Sequence, residues 1–112
     1  MAQMNLTHGA DYIILLIDNT QETYKQKHYM FENLVKKVKN GSYDRTKAPK
    51  LFSYLTDKVR KSFNKEYAGE SDSISIASAR LADKELVHEF ETDYLPNEKK
   101  MFFKSTAQTG KF

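Results

Sequence analysis

The chain contains no cysteine and no tryptophan among its 112 residues. Without cysteine there can be no disulfide, no cysteine-ligated zinc, no iron–sulfur cluster and no thiol nucleophile. Glycine and proline are also scarce, with four and two residues. So few turn-forming residues favour a small number of long elements over many short strands.

Long apolar runs are missing as well. The longest, residues 12–17, has six residues, whereas a membrane-spanning helix needs roughly 20. The first residues lack the basic start and apolar stretch that are typical of a signal peptide. We therefore expect a soluble, cytoplasmic protein without membrane contact. Its length and its 39% hydrophobic content predict one folded domain.

Apolar side chains recur in steps of three and four through the first third of the chain. Nine positions in this register run from Ala10 to Val38, and seven of them are apolar or aromatic. The spacing predicts one long helix over about residues 9–39. Thr7 is a candidate N-cap, and Asn40-Gly41 is a typical helix end.

An alternative stays open for the same segment. Residues 12–17 alone also fit a short buried strand, because a brief apolar run does not distinguish strand from helix. In that case Asn19 and Glu22 would form a capping box that begins a helix there.

Two further helices are predicted. The second has Asp44 as a candidate N-cap and either bends or begins at Pro49, and Gly69 ends it. The third begins between residues 73 and 78, and Pro96 forces its end by the preceding residue.

The predicted fold class is therefore all-α, with three helices in an antiparallel bundle. Residues 1–96 form a single helical domain, and residues 97–112 form a basic, mobile tail. A 30-residue helix spans about 45 Å, which is longer than a partner of about 20 residues can cover. We therefore predict a homodimer that buries the uncovered part of the first helix.

Charge is sorted by position along the chain. Residues 25–65 carry twelve lysines and arginines against three acidic residues, for a net charge of +9. Residues 66–98 carry nine acidic residues against two basic ones, for a net charge of −7. Such blocks attract either each other or an outside partner.

One line of residues within the basic block falls on a single predicted helix face. At about 100° per residue, this lysine stripe consists of Lys47, Lys50, Tyr54, Lys58, Lys61 and Lys65. It could contact phosphates, with Tyr54 stacking on a base. It could also be matched by acidic groups of the same chain or of a second copy, or be solvated surface.

The tail carries a second candidate contact. Met101, Phe102 and Phe103 follow two lysines, and exposed aromatic residues in that setting can anchor a protein partner. The alternative is that these three residues pack back onto the bundle and complete its core.

Catalytic and metal signatures are not found in the sequence. There is no Gly-x-Ser-x-Gly motif and no glycine-rich phosphate loop. Glu85 and His88 have a spacing that places two ligands on one helical face, but di-metal bundles need two such motifs and further carboxylates. We expect no enzyme activity, no cofactor and no metal.

The leading hypothesis is a small non-enzymatic interaction protein that acts through protein–protein contacts. The alternative is a nucleic-acid-binding protein without sequence preference that uses the lysine stripe. The helix stop at Gly41, the Tyr43-Asp44 pair and the Leu51-Phe52 run resemble in style the small helical proteins of mobile elements and phages. No residue's role follows from that resemblance.

Overall fold

Helices form most of residues 2–97, the part of the chain that this computed structural model describes, and no β-strand occurs among them. The all-α prediction is confirmed at that level. A π-helical turn extends the last helix. In chain order the elements are α1 (Leu6–Asn19), α2 (Gln21–Lys39), α3 (Ala48–Leu51), α4 (Ser53–Glu66), α5 (Ile76–Glu89) and the π-turn (Phe90–Tyr94).

The first helix begins earlier than predicted and contains no strand. Residues 12–17 lie inside α1, so the alternative of a short strand there is wrong. The N-cap is Asn5 and not Thr7, because the Asn5 side-chain oxygen accepts hydrogen bonds from the backbone N–H groups of Thr7 and His8, at 3.0 and 3.3 Å. These bonds satisfy two donors that the helix itself leaves free.

The predicted helix over residues 9–39 is divided at Thr20. This residue has an extended backbone, with φ −111° and ψ 121°, so α1 ends and α2 begins around it. The Thr23 hydroxyl donates to the Ile17 carbonyl at 2.8 Å and thereby satisfies an acceptor that the break leaves without its helical donor.

The expected apolar line is confirmed in part, since four of its nine positions are buried, namely Ala10, Ile17, Phe31 and Val35. Gln21 and Tyr24, which lie next to the break, are exposed although the line includes them. Ile13 and Leu34 are buried although the line omits them.

The second predicted helix is divided as well. Asp44 does not occupy the N-cap position of α3, which is Lys47. Its carboxylate accepts hydrogen bonds from the N–H and hydroxyl of Thr46 in the turn that precedes α3. Pro49 lies in the first turn of the four-residue α3, where proline is tolerated. Phe52 joins α3 to α4 and is fully buried.

The third predicted helix begins where expected, since Ser75 caps α5 by accepting a hydrogen bond from the backbone N–H of Ser78. Its end differs from the prediction. The backbone stays helical through residues 95–97, past Pro96. In the π-turn that precedes Pro96, the N–H of Leu95 donates to the Phe90 carbonyl, five residues earlier. This spacing is one residue longer than in an α-helix, so Pro96, which has no N–H to donate, follows a change in the helical hydrogen-bond pattern.

The core lies around α5, which packs on α1, α3 and α4. Three buried phenylalanines meet between the helices, with ring centroids 5.8 Å apart for Phe31 and Phe52 and 5.6 Å apart for Phe31 and Phe90. These edge and tilted contacts are favourable arrangements for aromatic pairs. They tie α2, the α3–α4 joint and the π-turn together.

The break at Thr20 removes the reason for which the sequence predicts a dimer. No 30-residue helix is present in residues 2–97, so the length mismatch behind that prediction does not exist. None of the helices in this part of the chain is both long and apolar enough to cross a bilayer.

The closest approach between α1 and α5 occurs at Gly9. A Cβ atom placed on Gly9 would lie 2.5 Å from the Ser78 hydroxyl oxygen and 2.9 Å from the Ser78 Cβ. The Ser78 hydroxyl is held there because it donates to the Leu6 carbonyl at 2.9 Å. Glycine is therefore required at position 9 for space.

We expect Gly9→Ala to lower the free energy of unfolding by about 1–3 kcal/mol through this overlap, although alanine is favoured by about 1 kcal/mol in a free helix. Thermal and urea unfolding measure the change. The same substitution in a Ser78→Gly background should cost less, because the overlapping atoms are gone. A Gly9→Ala protein that melts higher than the parent would contradict the packing argument.

Candidate functional site: a lysine and tyrosine surface on α2 and α4

The lysine stripe lies on two helices that are joined at Phe52. Lys47 precedes α3, Lys50 lies in α3, and the other four residues lie in α4. Lys58 is half-buried and the remaining five are exposed. Tyr54 is 74% exposed, so the structure does bring these residues to the surface, with the regular helical spacing kept only from Tyr54 onward.

A groove opens beside Tyr54, between α2 and α4. It has a volume of about 490 Å³, and its lining is mostly apolar. We call it the tyrosine groove; its residues are Lys25, Gln26, Tyr29, Met30 and Tyr54. Tyr29 is 67% exposed, so two largely exposed tyrosines border one apolar depression.

The tyrosine groove exists because α2 and α4 approach each other over a short stretch only. α2 turns its buried face toward the rest of the core through Phe31, Leu34 and Val35. Its opposite side is left without a neighbouring helix within residues 2–97. Gln26 contributes a buried side-chain oxygen that accepts no hydrogen bond within this same range, and this is an acceptor in the groove wall.

One ion pair crosses from α4 to α2 next to the groove. Lys58 Nζ lies 3.0 Å from Glu22 Oε1. Lys58 is one helical turn from Tyr54, and Glu22 is one turn from Gln26, so the two helices run antiparallel here. A second cavity of about 270 Å³ follows beyond this pair, above Val59.

The sequence analysis did not identify Tyr29 or Lys25 as site residues. Their spacing of four places them on one face of α2, which is the only signal available in the sequence. That signal is too common to select them, because it does not show that α4 brings Tyr54 to the same groove.

The two charge blocks are partly matched within the chain. Lys27, from the basic block, is 3% exposed. Its ammonium lies 2.6 Å from Asp18 Oδ1 on α1 and 2.9 Å from Glu89 Oε2 on α5. Burial alone would lower the pKa of Lys27, but hydrogen bonds to the two carboxylates outweigh it and raise the pKa above its ordinary value.

Glu91, on the π-turn, is matched in the same way. Its Oε2 accepts a hydrogen bond from the Tyr43 hydroxyl at 2.7 Å and another from Arg45 Nε at 2.8 Å. The bond from Arg45, helped by that from Tyr43, lowers the pKa of Glu91 despite some burial. Burial and the bond to Glu91 raise the pKa of Tyr43. The loop before α3 is thereby fastened to the π-turn.

Asp83, on α5, is a further acidic residue whose partners lie within the chain, and it is only 2% exposed. Its carboxylate accepts hydrogen bonds from Thr56 at 2.6 Å and from Ser53 at 3.0 Å. Burial raises the pKa of Asp83, and these bonds and the charge of Arg80 oppose the rise. The group holds α4 against α5, so its role is structural.

The remaining acidic and histidine side chains are of the types that bind metal ions. Across residues 2–97, no group of three or more His, Asp or Glu side chains is placed to hold a metal ion. Glu85, of the Glu85–His88 pair, lies beside Asp11, and burial together with this like charge raises the pKa of Glu85. The tail anchor predicted at Met101, Phe102 and Phe103 lies outside the described residues.

The buried lysine gives a first prediction for this region. Lys27→Met should change the free energy of unfolding by less than about 1.5 kcal/mol, because methionine fills the same space and the two carboxylates still reach water. The double variant Asp18→Asn/Glu89→Gln should lose up to about 3 kcal/mol, because it strands a buried ammonium. Urea unfolding at neutral pH measures both. Equal losses in the two proteins would be inconsistent with this assignment.

The Glu91 contacts predict a dependence on pH. Because the pKa of Glu91 is lowered by folding, its contribution to stability is full above its unfolded pKa of about 4.3 and is lost as the pH falls through the lower folded value. Glu91→Gln should therefore be less stable than the parent at pH 7, and the difference should shrink below about pH 4. Unfolding curves from pH 2 to 7 check this, and a difference independent of pH would refute it.

Comparison with protein-family models, curated proteins and solved structures gives no match for this chain. The functional argument therefore depends on the contacts, burial and charge of its own residues. The lysine stripe and the tyrosine groove are the surface features on which it is built.

Proposed function

We propose that the protein is a non-enzymatic interaction protein that binds another protein at the tyrosine groove and the adjoining lysine stripe. The observation that carries the proposal is the pairing of Tyr29 and Tyr54 across an apolar depression that also contains Met30. Tyrosine and methionine are enriched in protein–protein interfaces, and a few aromatic side chains usually supply most of the binding energy.

The contacts made by the two buried ionisable groups support a non-enzymatic role. Lys27 is held in its protonated form by two carboxylates, so it is a poor nucleophile. Asp83 is engaged by two hydroxyl groups of α4 and does not face the tyrosine groove lining. Both groups connect helices to one another.

Homodimerisation is a separate proposal. Two copies that met through the lysine stripe would bring ammonium groups of like charge together, which is unfavourable. A dimer is therefore expected to use another exposed apolar position, such as Leu15 on α1. Sedimentation velocity of the parent and of Leu15→Glu tests it: a dimer that the substitution dissociates supports this surface, and a monomer at all concentrations refutes dimerisation.

Nucleic-acid binding is the second candidate function. The exposure of Tyr54 in line with Lys50, Lys58 and Lys61 favours it, because stacking on an aromatic ring beside ammonium groups is a common way to hold single strands. An apolar groove with Met30 in its wall is not needed for such binding, which is why the protein partner is preferred here.

Photo-crosslinking distinguishes these functions. A benzophenone amino acid is placed at position 54, in cells that express the protein natively, and at the exposed position 84 on α5 as the control. We expect an adduct at position 54 that is sensitive to protease and insensitive to nuclease, and no equivalent adduct at position 84. Benzophenone reports only groups within a few ångströms, so the pair of positions maps the surface.

Each other outcome contradicts the proposal in its own way. A nuclease-sensitive adduct at position 54 would show that this surface binds nucleic acid and not a protein. The same adduct pattern at both positions would show contact without a defined surface. No adduct at position 54 would remove the groove from consideration as a protein-binding site.

A further inference from the structure

We infer that the tyrosine groove receives an amphipathic helix of the partner that carries acidic residues along one edge. The inference depends on the proposed function, since it names the kind of protein segment that the groove would bind. Three features of residues 2–97 carry it: the shape of the groove, the spacing of the lysines on α4, and the way in which the chain's own acidic groups are occupied.

The shape of the groove fits a helix. Its walls are two antiparallel helices, and a third helix laid along such a pair can place apolar side chains between them. Tyr29 lines the groove from α2 and Tyr54 lines it from α4, and Met30 of α2 adds to its lining. An apolar side chain of the incoming helix would be covered by the two rings and would contact the flexible methionine.

The spacing of charge on α4 points the same way. Tyr54, Lys58, Lys61 and Lys65 follow one another in steps of four, three and four, so they form a line along one side of the helix over about 17 Å. A second helix with carboxylates at the same spacing matches this line group for group, as charged positions do beside the apolar contact of a coiled coil. An extended peptide, with its period of two, does not.

The chain's own acidic groups leave these lysines largely unmatched. Glu89 and Glu91 bind Lys27 and Arg45, and neither reaches the lysine stripe. Among the described residues, the ion pairs of the stripe are confined to Lys58 with Glu22, an exposed carboxylate that a partner's carboxylate could replace at little cost. These lysines are therefore available to carboxylates from outside the domain.

The chain's own remaining segments are poor candidates for this occupant. Residues 98–112 carry four lysines and one acidic residue, so they would add positive charge to a positive surface. A second copy offers α5, on which Asp83 and Glu89 are engaged within the chain and Glu85 lies beside Asp11. One remaining carboxylate does not match a line of three lysines. Charge complementarity thus selects a different, acidic partner.

The test uses a fluorescein-labelled synthetic helix of about 18 residues, which spans about 27 Å. It has leucines in steps of three and four, and glutamates flanking them. Three probes serve as comparisons: the same residues in scrambled order, the same helix with lysine in place of glutamate, and a labelled single-stranded oligonucleotide. Fluorescence anisotropy is read with the full-length protein at about 50 and 200 mM salt, where screening lengths differ about twofold.

We expect the acidic helix to bind more tightly than the scrambled and basic peptides by about tenfold or more, with weaker binding at the higher salt. Tyr54→Ala and the charge reversal Lys58→Glu/Lys61→Glu should each weaken it by about tenfold. Leu15→Ala on α1 and Lys84→Glu on α5 are the matched controls and should stay within about twofold. Circular dichroism confirms that each variant is folded.

Other results overturn the inference. Equal binding of the scrambled peptide would show that charge alone is recognised and not a helix. An affinity unchanged by Tyr54→Ala would place the contact elsewhere, and tighter binding of the oligonucleotide would assign the surface to nucleic acid. If no peptide binds while the crosslink at position 54 still yields a protein adduct, the proposed function stands and the helical occupant is refuted.

Discussion

The ammonium of Lys27 is the contact that specifies how three helices meet, although it adds little to their stability. It lies on α2 and binds one carboxylate from the end of α1 and another from the end of α5, at 2.6 and 2.9 Å. The contact therefore fixes α2 against both neighbours directly after the break at Thr20. The rings of Tyr24 and Phe31 lie 5.3 and 5.6 Å from the same ammonium and cover it with aromatic faces.

The sorting of charge along the sequence has a structural explanation in part. Basic residues of the first half and acidic residues of the second half meet where α2 and the loop before α3 approach α5 and the π-turn. Such contacts specify which helices are neighbours more than they add stability, because a buried charge pair gains little over well-packed apolar residues. What remains at the surface is the line of lysines on α4, which has no equivalent partner in the described residues.

Composition and periodicity were sufficient for the helical class and for the start of α5. They failed at Thr20, because a threonine in extended conformation is not distinguishable by spacing from one inside a helix. They also failed for Lys27, which any charge count treats as solvated. The burial of Lys27 depends on Glu89, which is 62 residues away along the chain. Tyr29 likewise becomes part of a groove only because α4 lies beside it. Contacts of that separation are properties of the fold and leave no local pattern.

The close packing of α1 on α5 has a consequence for the protein during its synthesis. The hydrogen bond from Ser78 to the Leu6 carbonyl joins residues 72 positions apart, and α1 packs more extensively on α5 than on any other helix of the described chain. At ordinary translation rates this separation corresponds to roughly 4–14 s. For that interval α1 has been synthesised while its main partner has not. The apolar stretch from Tyr12 to Ile17 therefore lacks its principal packing surface until α5 follows.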